Sequence, residues 1–540
     1  MRCPPRGLLA LILFLMAATQ AYGQSEATAY KEYVKSYMSG LRKFKNSRDS
    51  AFVAMMRGQW EDFRSTRGER RMESPKPDKA PLVADTPSAK PLAEPSAKPS
   101  APGTPDGAGR PKPSTPVQPK QPVGPKPRPR PKQVTVPEKP KPTNPEKQNP
   151  TIPAPAPKSE PGQTTEPDRR DEPSPKEIAP IEVGRGNFSF DFHGTTVRLP
   201  MGSDMKFRLA SLSDKSVADA FESLCMKDYG RLVEAFRSVK ESLALNDYFY
   251  MLLIGDAADA FYGKGSDESA LFTMFVAAQS GMKVRVARIQ GRLALLYAAS
   301  PAVYDVTYLE LDGERYYIHN LKASGSVSLR TYRDMPAMGM KNVDLRLTAI
   351  PKLTVKGART AERSYGGINV VTSMSPSLME LYTLVPTTDY EVYRKAPLSE
   401  RMESDVIPSL RMAVDGKPEV EAVGIILSFV QRAFGYKTDH QQFGYERPFF
   451  PDENFYYPYN DCEDRSFLFE SLVRRLVGLD VVVLSYPNHA ATAVCFSGDV
   501  AGDAVVHKGK RYVVCDPTYI GAGIGRAMPD FRGVSPEINK

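Results

Sequence analysis

Three residue types able to form, deprotonate and orient a nucleophile recur in the second half of this chain. They are Cys462, His489 and Asp516, with a step of 27 residues from each to the next. A thiol attacks as its thiolate, an imidazole takes the proton near neutral pH, and a carboxylate fixes the imidazole tautomer. The surrounding pattern predicts the elements that must position them. Asp461-Cys462-Glu463-Asp464-Arg465-Ser466 precedes an apolar run at helical spacing (Phe467, Leu468, Leu472, Val473, Leu476) that Gly478 closes. Asp461 is thus expected to cap a helix that Cys462 opens, where unpaired N–H groups and the helix dipole favour a thiolate. Glu463 and Asp464 read as first-turn acids, and their charge opposes that thiolate. A strand-like run from Val481 to Leu484 leads into Asn488-His489, with Ala491, Ala493 and Cys495 alternating behind. Lys510 to Cys515 reads as a further strand ending at Asp516-Pro517-Thr518-Tyr519.

In order and context, these motifs resemble the transglutaminase-like fold, a relative of papain-like cysteine enzymes. The resemblance covers about residues 419–530, and the apolar helix expected from Val420 to Phe434 matches the helix that precedes the Cys in that family. It implies a catalytic set of Cys462 as nucleophile, His489 as base and Asp516 as orienter. The backbone N–H of Cys462 is then the natural first oxyanion donor. Gln441 or Gln442 is a candidate side-chain donor, as an upstream glutamine is in papain-like enzymes. Residues 181–540 also resemble large exported bacterial proteins with two such modules, through Asn246-Asp247-Tyr248, Phe449-Phe450-Pro451-Asp452-Glu453 and Asp516-Pro517-Thr518-Tyr519-Ile520.

The second module has an earlier copy. Slid by 197 residues, Ser269, Leu271, Phe272 and Gly281 fall on Ser466, Leu468, Phe469 and Gly478; slid by 196, Gly313 to Tyr316 falls on Gly509 to Tyr512. On these shifts Gly265, Leu293 and Asn320 stand at the positions of Cys462, His489 and Asp516. The first copy is expected to keep the fold and lack the reaction, with His319 structural. Ser326 to Leu329, Leu345 to Leu347 and Ile368 to Val371 suggest a small β layer between the modules, and a hairpin with His193-Gly194 at its turn opens the folded part near Phe188 to Leu199.

The net charge of +9 sits elsewhere. Residues 1–73 and 74–180 each contribute +6, whereas 181–540 sum to −3, so the folded part has no basic balance that asks for nucleic acid. Of 49 prolines, 31 lie in residues 74–180, a stretch without Phe, Tyr or Trp. Such a segment cannot offset its ordering entropy and is expected to be a disordered or polyproline II linker, cationic through its Lys-Pro pairs. Arg2 and Arg6 ahead of an apolar run to Ala18, then Ala21-Tyr22-Gly23, read as a secretory signal over 1–23. Residues 24–73 read as a short helical hairpin from the spacing of Tyr30, Tyr33, Tyr37, Phe52, Met56 and Trp60, with a membrane-surface helix as the competitor. Cys225, Cys462, Cys495 and Cys515 are too few for a disulfide scaffold and are expected to be free.

The expected architecture is therefore α+β. A degenerate transglutaminase-like module (181–325), a β-rich connection (326–400) and an intact module (401–540) follow the linker. The expected function is that of an exported, periplasmic or outer-envelope cysteine enzyme acting on amide or peptide bonds of an envelope protein or peptide. The alternative is a non-catalytic scaffold of the envelope that uses the same folds. Neither reading involves a cofactor, a metal, nucleic acid or a transmembrane span in the mature chain; five His and no Cys pair at metal spacing argue against zinc. The basic linker is a candidate contact for envelope components.

Overall fold

A computed structural model describes residues 47–58, 60–69, 181–320, 325–333 and 339–539. The signal segment 1–23, residues 24–46 of the leader and the whole proline-rich stretch 74–180 lie outside these residues. The chain is mixed α+β and is built around two sheets that repeat one order of strands.

In the first sheet, Val284–Ile289 pairs with Arg292–Ser300, which pairs with Glu314–Ile318, which pairs with Tyr308–Leu311. In the second, Asp480–Tyr486, His489–Cys495, Lys510–Cys515 and Ala504–His507 follow in the same order, all antiparallel. Each sheet then gains a strand beside its first member: Ser328–Thr331 in one, Glu537–Asn539 in the other. Each is preceded by a helix that packs on one face, Asp267–Gln279 in the first and Cys462–Leu476 in the second. The first is sheathed on all sides, with every residue from Leu271 to Gln279 buried and apolar around much of its circumference; the second is buried from Cys462 to Glu470 and opens to solvent at Arg474 and Arg475. Ser266 caps the first by accepting the Ser269 N–H at 3.1 Å.

Outer helices Asp214–Cys225, Tyr229–Ser242 and Asp247–Tyr262 complete the first layer, the last capped by Asn246. Glu419–Arg432 lies against the second central helix. One core runs through the first layer and reaches Phe450, Phe467 and Val483 of the second, so the two halves share apolar contacts. The hairpin Phe188–Phe192/Thr195–Leu199 forms with His193 and Gly194 at positive φ, as a two-residue turn between twisted strands requires.

Two expectations need correction. Residues 47–57 are helical, but Glu61–Arg64 is a strand and not the second arm of a helical hairpin. It adds to the first sheet beside Ser328–Thr331, with Phe63 opposite Leu329. Trp60, 1% exposed, meets Tyr332 edge-on at 5.9 Å, and Phe52 stacks on Phe221 at 4.9 Å. The apolar spacing read as helix is a core contribution whose partner strand lies some 270 residues on, out of reach of any local pattern. Glu61–Arg64 therefore belongs to the first sheet and not to a separate leader. The connection 326–400 is also less purely β than expected. Its first strand belongs to the first sheet, and helices Pro376–Thr383 and Tyr390–Arg394 follow the hairpin Arg359–Tyr365/Ile368–Met374.

All four described cysteines are free. Among the described residues no helix is long and apolar enough to cross a membrane.

Candidate functional site

Cys462 is the first residue of its helix. Asp461 precedes it as the cap, with the Asp461 carboxylate on the third helical N–H and Asp464 Oδ2 accepting the Asp461 N–H at 3.2 Å. The Cys462 side chain is buried, and its Sγ accepts the N–H of Ala490 at 3.3 Å. The thiol lies 3.3 Å from Glu463 Oε2, to which it donates. The Ser466 hydroxyl, one turn on, donates to Ala490 O at 3.2 Å and ties helix to strand.

His489 opens its strand after a two-residue turn, Pro487-Asn488, in which Asn488 takes φ 60°. Its ring stacks on Phe531 with centroids 4.8 Å apart and planes at 12°. Nε2 meets Asp516 Oδ2 at 2.9 Å. The carboxylate's other oxygen accepts the N–H groups of Thr518 and Tyr519 at 2.8 and 3.1 Å. Asp516 is thus an acceptor on both sides, which assigns a proton to Nε2; in the neutral imidazole the lone pair then lies on Nδ1. Nδ1 is buried and has no hydrogen-bond partner among the described residues, so thiol and imidazole are not hydrogen-bonded to each other in this structure.

Gln431 was not singled out by sequence. It is 2% exposed on the Glu419–Arg432 helix, and its Nε2 lies 2.9–3.0 Å from the carbonyl oxygens of Asp516, Tyr519 and Ala522. Its Oε1 accepts the Gly521 N–H at 3.1 Å. A single buried amide thereby clamps the turn that carries Asp516. The available signal was a polar residue four positions after Leu427, on the stripe of Val423, Ile426, Leu427 and Val430. Arg465 is a second buried organiser: its guanidinium donates to Asn460 Oδ1 and to the carbonyls of Gln431, Phe434 and Gly435.

The expected oxyanion glutamines are differently employed. Gln441 is exposed in the short helix Asp439–Gln442, where its side chain completes a capping box with Thr438. Gln442 is half-buried, with a buried Oε1 that no donor reaches. The same short helix instead brings Asp439 to the Cys462 turn, its N–H donating to Asp461 Oδ2 at 3.3 Å. Asp439, Glu446, Asp461 and Asp464 are buried together with Glu463. Burial first, and then the charges of neighbouring carboxylates, hold all four of those acids well above the usual carboxylate range, Glu446 at about 11.

The first copy has its own version of this corner, and it corrects the sequence-derived counterparts. Asp267 is the first helical residue there, as Cys462 is in the second copy. Arg292 is the first strand residue, opposite Ile289 as His489 is opposite Tyr486. The positions of Cys462 and His489 are thus taken by Asp267 and Arg292, not Gly265 and Leu293. On the 197-residue shift the Cys462 helix starts two residues earlier than the Asp267 helix, and the same shift, not 196, places Arg292 on His489. Asp267 Oδ1 accepts the Leu293 N–H at 2.7 Å, as Cys462 Sγ accepts that of Ala490. Arg292 Nε lies 3.1 Å from the same carboxylate. His319, beside Asn320, is enclosed between Tyr248 and Tyr297, and burial lowers its pKa to about 4.

Comparison with protein-family models finds no match, and no curated protein or solved structure is similar to this chain.

Proposed function

We propose that the second unit is a transglutaminase-like cysteine enzyme that acts on amide or peptide bonds, and that the first is a degenerate copy of it. The observation that carries this reading is the pairing of Asp516 with His489 Nε2 beside a thiol at a helix start, which leaves Nδ1 free to act as base. In this reading Cys462 Sγ turns from Glu463 toward Nδ1 and gives up its proton there. Sγ then attacks the carbonyl carbon, and the imidazolium returns the proton to the departing amine nitrogen, leaving a thioester. Water or a second amine, deprotonated by the same imidazole, releases the acyl group and regenerates the thiol. Asp516 stabilises the imidazolium, and the helix-start N–H groups face the oxyanion. An exported chain, acting on a protein or peptide of the envelope with its basic linker against that surface, is the setting the sequence suggests.

A second reading, a binding scaffold, draws on the near-complete burial of Cys462, His489 and Asp516 (1%, 5% and 2% exposed). Alkylation separates the two. Under the enzyme reading, iodoacetamide modifies Cys462 in the folded protein at pH 6–7. Labelling is abolished in Cys462→Ala and slowed about tenfold or more at that pH in His489→Ala. A Cys462 that labels only on unfolding, or equally fast with and without His489, leaves the scaffold.

A further inference from the structure

A groove away from the thiol lies where the first sheet, the connection and the second unit meet. Its volume is about 230 Å³, and Tyr304, Leu384, Pro386, Tyr393, Tyr445 and Pro448 are on its walls. Leu384 and Tyr445 are 44% and 51% exposed, so apolar surface is open to solvent here. Pockets for small molecules commonly measure about 300–1,000 Å³ and close over the ligand. A smaller groove with an open rim suits one or two side chains of an extended chain laid across it. Two of its rings are held in place: the Tyr304 hydroxyl donates to Asp389 at 2.7 Å and that of Tyr393 to the Pro386 carbonyl at 3.3 Å. Fixed aromatic faces in a shallow groove are what a polyproline II segment docks against. An independent observation says which segment is at hand. The chain leaves the first sheet along this groove. Thr66 pairs with Tyr308, Gly68 passes so near Val306 that a Cβ would lie 2.4 Å from its carbonyl oxygen, and the Glu69 carbonyl accepts the Asp305 N–H at 2.8 Å. Asp305 and Val306 are themselves wall residues of the groove. The sequence that follows carries Pro75, Pro77 and Pro81, with Lys76 and Lys79 between them.

We propose that this groove is a polyproline II-binding site and that its occupant is the chain's own segment 75–81. Polyproline II makes no internal hydrogen bonds and is stiff before it binds, so its prolines pack on aromatic faces at little ordering cost. Reach is not limiting. Pro75 is six residues past Glu69, and an extended chain covers about 3.3–3.6 Å per residue, so it can lie up to roughly 20 Å from that anchor. The exposed Asp305 on the wall suits a segment that carries lysines. The tether decides between occupants. A short flexible connection gives the attached segment an effective concentration of about 1 mM, which a free partner must exceed to displace it. The docking would hold the start of the proline-rich stretch against the junction of the two halves. It is independent of whether Cys462 is a catalyst.

The test uses the full chain and a fluorescein-labelled synthetic peptide with the sequence of residues 74–82, followed by fluorescence anisotropy. The triple variant Pro75→Ala/Pro77→Ala/Pro81→Ala vacates the groove and is expected to bind the peptide. The unaltered chain, whose tethered segment competes, should bind it roughly tenfold more weakly or less. Leu384→Lys and Tyr445→Ala, each added to the triple variant, should weaken the peptide about tenfold or more while keeping its circular dichroism. Both side chains are exposed, and either variant decides if the other does not fold. If neither folds, the contrast between the triple variant and the unaltered chain decides, together with a peptide in which alanine replaces the three prolines. A triple variant that does not bind the peptide overturns the proposal, as does binding that the groove variants leave unchanged. So does an alanine peptide that binds as well as the proline one, which would make the contact one of charge. Equal affinity for the triple variant and the unaltered chain would mean that the groove takes proline segments only from a partner. A dimer in sedimentation that the triple variant loses would place the segment in a second copy; either result overturns the assignment of the occupant.

Discussion

The same corner is solved twice in this molecule with different chemistry. In the second unit, a helix begins with Cys462 and the adjoining strand with His489; in the first, the helix begins with Asp267 and the strand with Arg292. Both helix-start side chains accept the same strand N–H, that of Ala490 or Leu293. That N–H therefore asks for an acceptor wherever this fold is built, and either a sulfur or a carboxylate serves. The environments differ more than the contacts do. Arg292 is 59% exposed at its side chain, whereas the His489 side chain is 1% exposed and stacked under Phe531. An exposed ion pair closes the corner in one copy. In the other, a buried imidazole is hydrogen-bonded through Nε2 only, among the described residues. The comparison teaches that the fold needs an acceptor at the helix start but does not need a thiol, an imidazole or the clamp around Asp516.

The units also differ at their sheet edges, and this difference is expected to give the largest effect. The first sheet takes Glu61–Arg64 from the far side of residues 70–180, together with the buried Phe52, Val53, Met56 and Trp60. Losing one large aromatic from a core costs about 3–5 kcal/mol, and total stability is only about 5–15 kcal/mol. Deleting residues 1–69 should leave the first unit unfolded, as seen in loss of near-ultraviolet circular dichroism and in aggregation. Truncation after Pro536, which removes only the half-exposed Glu537–Asn539 edge, should leave a soluble, cooperatively melting protein. If the first deletion melts like the intact chain, the edge strand is an accessory and the asymmetry between the sheets is without consequence.

Next comes the clamp specific to the second unit. Gln431→Leu removes the donor to three carbonyls and the acceptor of the Gly521 N–H, all buried or partly buried. Leaving such groups unsatisfied should cost about 3 kcal/mol or more, measured by urea denaturation. Gln431→Glu keeps the acceptor but presents no amide donor to the carbonyls, and should be no better. If the Leu variant is as stable as the parent, the Asp516 turn is held by its own Thr518 and Tyr519 bonds, and Gln431 only fills space.

How much of this was legible in the sequence varies with distance along the chain. The Cys462 helix, its Asp461 cap and the strands on either side of His489 were readable because capping and alternation are local. So was the α+β class. The leader was legible only in part: Phe52 and Met56 do lie on a helix, but Glu61–Arg64 after Trp60 is a strand whose partner lies some 270 residues on, where no local pattern reaches. The counterparts of Cys462 and His489 are offset because the matching Ser, Leu, Phe and Gly residues inside the helices do not report where each helix starts. The acid cluster was seen only as helix first-turn residues. Asp439 and Glu446 precede Cys462 by a loop whose path no periodicity describes.

The smallest expected effect concerns the first copy. Asp267→Asn breaks the ion pair with Arg292 but keeps an oxygen for the Leu293 N–H. Exposed pairs of this kind contribute about 0.2–1 kcal/mol, since water solvates both partners and the long arginine must be ordered to form them. The variant should therefore lose less than about 1 kcal/mol in urea denaturation and leave alkylation at Cys462 unchanged. Asp267→Ala, which removes the acceptor as well, should lose more, because the strand N–H is then left without its partner. That ordering, alanine worse than asparagine, would show that the acceptor and not the charge is what the repeated corner requires. Equal losses would mean that the ion pair carries the corner in the first copy, and that the likeness between Asp267 and Cys462 is positional only.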